Sequence, residues 1–159
     1  MMKYVDTRVV FAEVPDEITL AINISNCPCH CEGCHSAYLA ENIGKPLDWS
    51  SLNALIHIHH GITCVAFMGG DASPKQINEL AWHVKRVGLK TCWYSGRQEL
   101  SNAIQLENFD FIKLGPYIPN KGGLDSPNTN QHFYQVEDCP LLNGVTGKRL
   151  QDVTCKFWH

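Results

Sequence analysis

The chain has 159 residues, 44% of them hydrophobic and 18% charged, a balance that fits one globular domain over residues 1–159 and excludes a fibre or a disordered tail. Its formal charge of −3 is spread along the chain with no basic run or stripe, which argues against nucleic acid as a partner. No apolar leader opens the sequence and no stretch approaches the roughly 20 apolar residues that cross a bilayer, so a cytoplasmic protein away from membranes is expected.

Arg8 to Val14 and Glu17 to Ser25 are rich in β-formers and flank Pro15-Asp16, which predicts two strands around a turn. From Ser50 or Ser51 to His60, Leu52, Leu55, Ile56 and His59 recur at helical spacing, and Gly61 suits a C-terminal cap. Ile62 to Met68 is a continuous apolar run stopped by Gly69-Gly70-Asp71, the pattern of a strand buried on both faces. Ser73, Pro74 and Gln76 predict a capped helix start with a capping box, and Ile77, Leu80, Ala81, Val84 and Val87 form its apolar stripe. A strand over Leu89 to Tyr94, a helix near Gln98 to Leu106 and a strand over Phe109 to Leu114 continue the alternation, which implies a parallel α/β sheet. Beyond Gly115-Pro116, the stretch Asn120 to Gln131 is a long loop by composition.

Eight cysteines in a reducing compartment point to metal ligation, catalysis or core packing before they point to disulfides. Cys27, Cys31 and Cys34 have the spacing C-x3-C-x2-C on a loop directly after a strand. Three thiolates on a four-iron cluster leave one iron with an open position, and an open position is how a metal site binds and activates a ligand. A tetrahedral zinc knuckle is the alternative, although Cys64, Cys92, Cys139 and Cys155 are isolated and supply no second C-x2-C pair.

The C-x3-C-x2-C loop followed by Gly69-Gly70-Asp71 after the next long strand resembles the radical S-adenosylmethionine (SAM) superfamily. Gly33-Cys34-His35, Gly69-Gly70-Asp71 and Gly115-Pro116-Tyr117 are similar to the activating enzymes of anaerobic ribonucleoside-triphosphate reductases, over roughly Ile18 to Gln131. The family carries a histidine where this chain has Cys29, followed by His30, and Cys29 is read as a small residue and not as a ligand. The chain is far short of the about 250 residues of a closed eight-fold barrel, so the resemblance implies a partial, open βα barrel, through whose missing wall a protein substrate would reach the cluster.

The resemblance further implies a 4Fe-4S cluster on Cys27, Cys31 and Cys34, with no catalytic residue beyond these ligands. Bound SAM would be cleaved by the reduced cluster to methionine and a 5′-deoxyadenosyl radical, which would abstract hydrogen from a glycine of the reductase's glycyl radical subunit. An electron donor such as flavodoxin is implied as a further partner. SAM would be held by Gly33, Cys34, His35, Gly69, Gly70, Asp71, Ser95 and Gly96. In that setting the two glycines admit the ligand's methionine part close to the backbone, and Asp71 accepts from its α-ammonium, although a helix N-cap is the plainer role for an aspartate there. A radical SAM enzyme of the deazaguanine-forming type, acting on a small molecule, shares the cluster and remains the neighbouring alternative.

The remaining candidates have simpler readings. His57, His59 and His60 suit the carbonyl end of a helix, and Cys64 and Cys92 suit core packing. Asp110 and Lys113 lie among hydrophobic neighbours, where one could point inward toward a carboxylate or ribose, but both are expected at an exposed strand end, while Cys139 and Cys155 stay open between free thiols and a weak metal pair.

Overall fold

The computed structural model describes residues 1–34 and 36–158. Eight strands form one sheet in the order β3-β1-β2-β4-β5-β6-β7-β8. They are β1 (Lys3–Val10), β2 (Thr19–Ile24), β3 (Lys45–Pro46), β4 (Cys64–Met68), β5 (Lys90–Tyr94), β6 (Phe111–Leu114), β7 (His132–Pro140) and β8 (Thr146–Asp152). The central strands β2, β4, β5 and β6 run parallel, whereas β1 and β3 on one flank and β7 and β8 on the other pair antiparallel. Two α-helices are present among the described residues, α1 (Trp49–Ile58) and α2 (Pro74–Arg86).

This architecture corrects the expected fold. The chain is not a partial, open βα barrel of the radical SAM type; it is an open, mixed eight-stranded sheet with few helices. The βα alternation holds through α1, β4, α2 and β5 and then fails, because the segment read as a helix from Gln98 to Leu106 is irregular. Its own polar side chains compete with a helical ladder. Ser101 Oγ accepts from Ala103 N–H at 3.2 Å, and Asn78 Oδ1 on α2 captures the Gln105 N–H at 2.8 Å. A short 3₁₀ turn, Leu106–Asn108, is all the helix that survives there.

Alternation along the strands splits the core between the two faces of the sheet. Leu20, Ile22, Ile24, Val65, Phe67, Trp93 and Ile112 meet Leu52 and the α2 stripe Ile77, Leu80, Ala81 and Val84 on one face. On the other, Cys64, Ala66, Cys92, Phe111 and Phe133 lie under Val14, Leu124, Val153 and Phe157, which come from segments outside the α-helices. The Tyr94 hydroxyl donates to the Glu13 carbonyl and ties the turn after β1 across this face. Loops therefore cover the part of this face around Cys64, Ala66 and Cys92.

Local details also shift. The first strand precedes its predicted span, and the predicted capping box at Ser73 does not form, since Ser73 makes no side-chain cap bond. A capping box forms instead on α1, where Asp48 Oδ1 accepts from Ser51 N–H at 2.8 Å and Ser51 Oγ accepts from Asp48 N–H at 2.9 Å. No helix among the described residues is long and apolar enough to cross a membrane.

Candidate functional site

The parallel strands end together, and their carboxyl ends carry the side chains that matter, as open α/β sheets generally arrange. The register places Asn23, Met68, Tyr94 and Lys113 in one row across β2, β4, β5 and β6. All four line a cavity of about 240 Å³, and so do Cys27, Cys29, Cys31 and Cys34.

The cysteine loop leaves β2 under firm anchoring. Asn26 N–H and Cys27 N–H donate to the Glu41 and Leu39 carbonyls at 2.9 and 2.8 Å, and Ser25 Oγ donates to the Ile43 carbonyl at 2.5 Å. Within the loop, Cys34 N–H reaches the Cys31 carbonyl at 3.2 Å, and Ser36 N–H donates to Cys34 Sγ at 3.4 Å. Gly33 has φ +70°, and a Cβ there would stand 3.2 Å from Pro119, so the loop packs closely on the segment after Gly115-Pro116-Tyr117. His35 lies outside the described residues.

Asp71 is buried beside these thiols and does not cap α2. Its Oδ1 accepts from Ser95 Oγ at 2.5 Å, and its Oδ2 accepts from Gly96 N–H at 2.9 Å and from the Cys29 thiol at 3.5 Å. Ser95 and Gly96 thus line the cavity where the sequence reading put them, and they also fix the carboxylate. Burial first, then the charges of Asp71 and Cys27, push the Cys29 thiol up to about 12, so at neutral pH it is a protonated donor. That state suits a hydrogen-bond partner of Asp71 better than a metal ligand.

The two glycines before Asp71 divide their roles. Gly69 lines the cavity with φ +109°, and its carbonyl accepts from Trp93 Nε1 at 2.7 Å. Gly70, with φ +91°, is buried against α2, where a Cβ would stand 2.6 Å from Ile77 Cδ1; its smallness serves helix packing and not ligand approach.

Lys113 is the residue the sequence misjudged. It is buried, with Nζ donating to the carbonyls of Gly115 at 2.8 Å and Ser95 at 3.2 Å. Burial lowers its pKa, while Cys31, Asp71, Cys29 and Cys34 pull it back up. Among the described residues lining the cavity it is the one Lys or Arg. Strand alternation gave the signal, because Phe111 and Lys113 share a face with Cys92 and Tyr94. Asp110 is not a free surface group either; both its oxygens accept from Lys85 Nζ at 3.0 Å and Oδ2 accepts from Thr91 N–H at 2.9 Å, tying α2 to the sheet.

The donor chemistry fits an iron–sulfur cluster, because Cys27, Cys31 and Cys34 are free thiols on a single cavity and Cys34 already accepts an N–H···S bond. They are not gathered as a ready ligand set, however; among the described residues no three His, Cys, Asp or Glu side chains are grouped to hold a metal ion.

The other candidates fall outside the site. His57 and His59 place Nδ1 at 2.8 Å from the Asn53 and Leu55 carbonyls, as a helix end invites. Cys64 and Cys92 are core residues. Cys139 pairs with Gly147 near the tip of the β7–β8 hairpin, whereas Cys155 follows Asp152 at its far end, about five residues or roughly 17 Å of strand away. They do not form a metal pair.

Comparison of the chain with family models, with curated proteins and with solved structures returns no match.

Proposed function

We propose that this chain binds a 4Fe-4S cluster through Cys27, Cys31 and Cys34 and uses it to cleave SAM, acting as a radical SAM activase that generates a glycyl radical on an anaerobic ribonucleoside-triphosphate reductase. One observation carries the reading: the three thiols share a cavity at the carboxyl ends of parallel strands with a buried carboxylate, Asp71, and a buried ammonium, Lys113. A zwitterionic amino-acid group needs one partner of each sign, and a dry site makes each contact stronger than it would be in water.

When bound and reduced, the cluster supplies the electron that splits SAM into methionine and a 5′-deoxyadenosyl radical. The chain's share is positioning. Asp71, held by Ser95 Oγ and Gly96 N–H, presents Oδ2 to the ligand's α-ammonium once the Cys29 thiol gives it up. Lys113, held between two carbonyls, faces the ligand's carboxylate. Because loops cover the sheet around Cys64, Ala66 and Cys92, the target glycine would approach at the strand ends beside the cysteine loop.

The choice of a reductase as substrate rests on the resemblance of the sequence motifs Gly33-Cys34-His35, Gly69-Gly70-Asp71 and Gly115-Pro116-Tyr117, and a flavodoxin-type donor follows from the same likeness. The test is anaerobic reconstitution with iron and sulfide, reduction by dithionite with SAM, and chromatography for 5′-deoxyadenosine, with Cys31→Ala as control. Wild type should form the product and the variant should not. A colourless protein that takes up only zinc would end the reading. A glycyl electron-spin signal on added reductase separates the activase from an enzyme of small molecules.

A further inference from the structure

Gln131 is a buried polar residue that the functional reading leaves without a task. It lines the cysteine cavity and is 6% exposed. Its backbone N–H donates to Thr129 Oγ1 at 3.0 Å, but its carboxamide has no hydrogen-bond partner among the described residues. Among the described residues the buried side-chain atoms left unpaired are Thr19 Oγ1 and Asn130 Oδ1, so the Gln131 carboxamide is not sealed in the core; it opens on the cavity, where a ligand can pair with it.

The fold takes trouble to bring it there. Gly115 has φ +111°, and a Cβ at that position would stand 3.0 Å from Gln131 Cα and 3.5 Å from its Cγ. The glycine therefore lets the start of β7 lie directly against the end of β6, next to Lys113, whose Nζ is held by the Gly115 carbonyl. Asn130 Nδ2 donates to the Pro116 carbonyl at 3.0 Å and fixes the same junction from the other side. The Gly115-Pro116 motif thus sets Gln131 at the wall of the cavity, where Tyr117 contributes an aromatic ring to the lining.

We infer that Gln131 is the specificity residue for the nucleobase of the bound ligand and that it selects a 6-aminopurine. The inference rests on the reading of the cavity as a SAM site and adds to it the group that recognises adenine. A carboxamide offers one acceptor and one donor side by side, which matches the N6 amino donor and N7 acceptor of adenine in a bidentate pair. A 6-oxopurine presents two acceptors on that edge and leaves the carboxamide oxygen unpaired. The methionyl end on Asp71 and Lys113 and the base on Gln131 then occupy neighbouring strand ends, so one ligand spans the β4 to β7 side of the cavity.

The experiment is calorimetric titration of the full chain, before and after iron–sulfur loading, with S-adenosylhomocysteine and with its inosine counterpart, neither of which turns over. Wild type should prefer the adenosyl ligand by about 5- to 150-fold, and Gln131→Leu, which can neither donate nor accept, should lose that preference. Thermal unfolding of the ligand-free Gln131→Leu protein should be unchanged or raised, because the substitution removes an unpaired polar group; a purely structural glutamine would instead leave the base preference intact and lower the midpoint. Adenosyl and inosyl ligands bound equally by wild type, or a preference kept in Gln131→Leu, would overturn the role of Gln131 while leaving the SAM site standing. Failure of wild type to bind either ligand, loaded or not, would overturn both.

Discussion

The four cysteines between Cys27 and Cys34 and the two at Cys64 and Cys92 are the same side chain in two physical settings. The first group sits half-exposed on a loop beyond a strand end, beside a buried carboxylate and a buried lysine. The second sits within β4 and β5 with no exposure, under loops that cover that part of the sheet. Desolvation pushes the Cys64 thiol up to about 12 and that of Cys92 well above its ordinary value, so neither offers a thiolate at neutral pH. The strand end, and not the residue type, decides which sulfur can act as a ligand. Cys29 refines the point, since it stands among the loop thiols yet is held protonated against Asp71.

The largest expected effect tests that division directly. Replacing Cys27, Cys31 or Cys34 singly by serine should abolish the iron-based visible absorbance after anaerobic reconstitution, while Cys64→Ala and Cys92→Ala should keep it. Cys29→Ser should also keep the absorbance, because its hydroxyl can still donate to Asp71. Iron retained by any of the three ligand variants, or lost in Cys29→Ser, would redraw the ligand set.

A second, smaller effect appears in stability. Cys92→Ser places a hydroxyl in a fully buried site between apolar neighbours and should cost about 1–3 kcal/mol, read as a lower midpoint in urea. Cys31→Ser, on the half-exposed loop, should change stability by no more than about 0.5 kcal/mol in iron-free protein. Equal costs at both sites would mean that the loop is packed as tightly as the core.

Much of this contrast could be read in the sequence, and the rest could not, for reasons that differ by residue. The spacing of Cys27, Cys31 and Cys34 and the apolar settings of Cys64 and Cys92 are local signals. The stripe on α2 and the runs in β4 and β5 were legible for the same reason. The lost helix at Gln98 to Leu106 depends on a partner distant in sequence, Asn78 gripping Gln105, which no window around Ser101 contains. The same holds for the site. Asp71 could be placed near the ligand but not tied to Ser95 and Gly96, and Lys113 was taken for a surface residue because its carbonyl partners come from the turns after β5 and β6. Gln131 lay at the end of an apparently featureless loop. The barrel expectation failed because sequence alternation reports parallel pairing, whereas closure depends on what pairs with the flanking strands.

The smallest effect separates the two cysteine settings by pH. A thiol whose pKa is raised on folding contributes stability that is complete below its unfolded value, near 9, and is lost as pH rises through the folded value, about 12 for Cys64. Wild-type stability should therefore decline above pH 9. Tyr94, also raised by burial, acts in the same direction at higher pH, whereas Lys113, lowered by burial, acts in the opposite one. These groups are common to wild type and Cys64→Ala, so the difference between their urea midpoints reports the Cys64 thiol together with its electrostatic effect on Cys92 and Tyr94. That difference should be constant from pH 7 to pH 8.5 and should shift in favour of the variant above pH 9. A loop variant such as Cys34→Ala, at a half-exposed site, is the control; a parallel drift in both would remove the distinction between loop and core on which the ligand assignment depends.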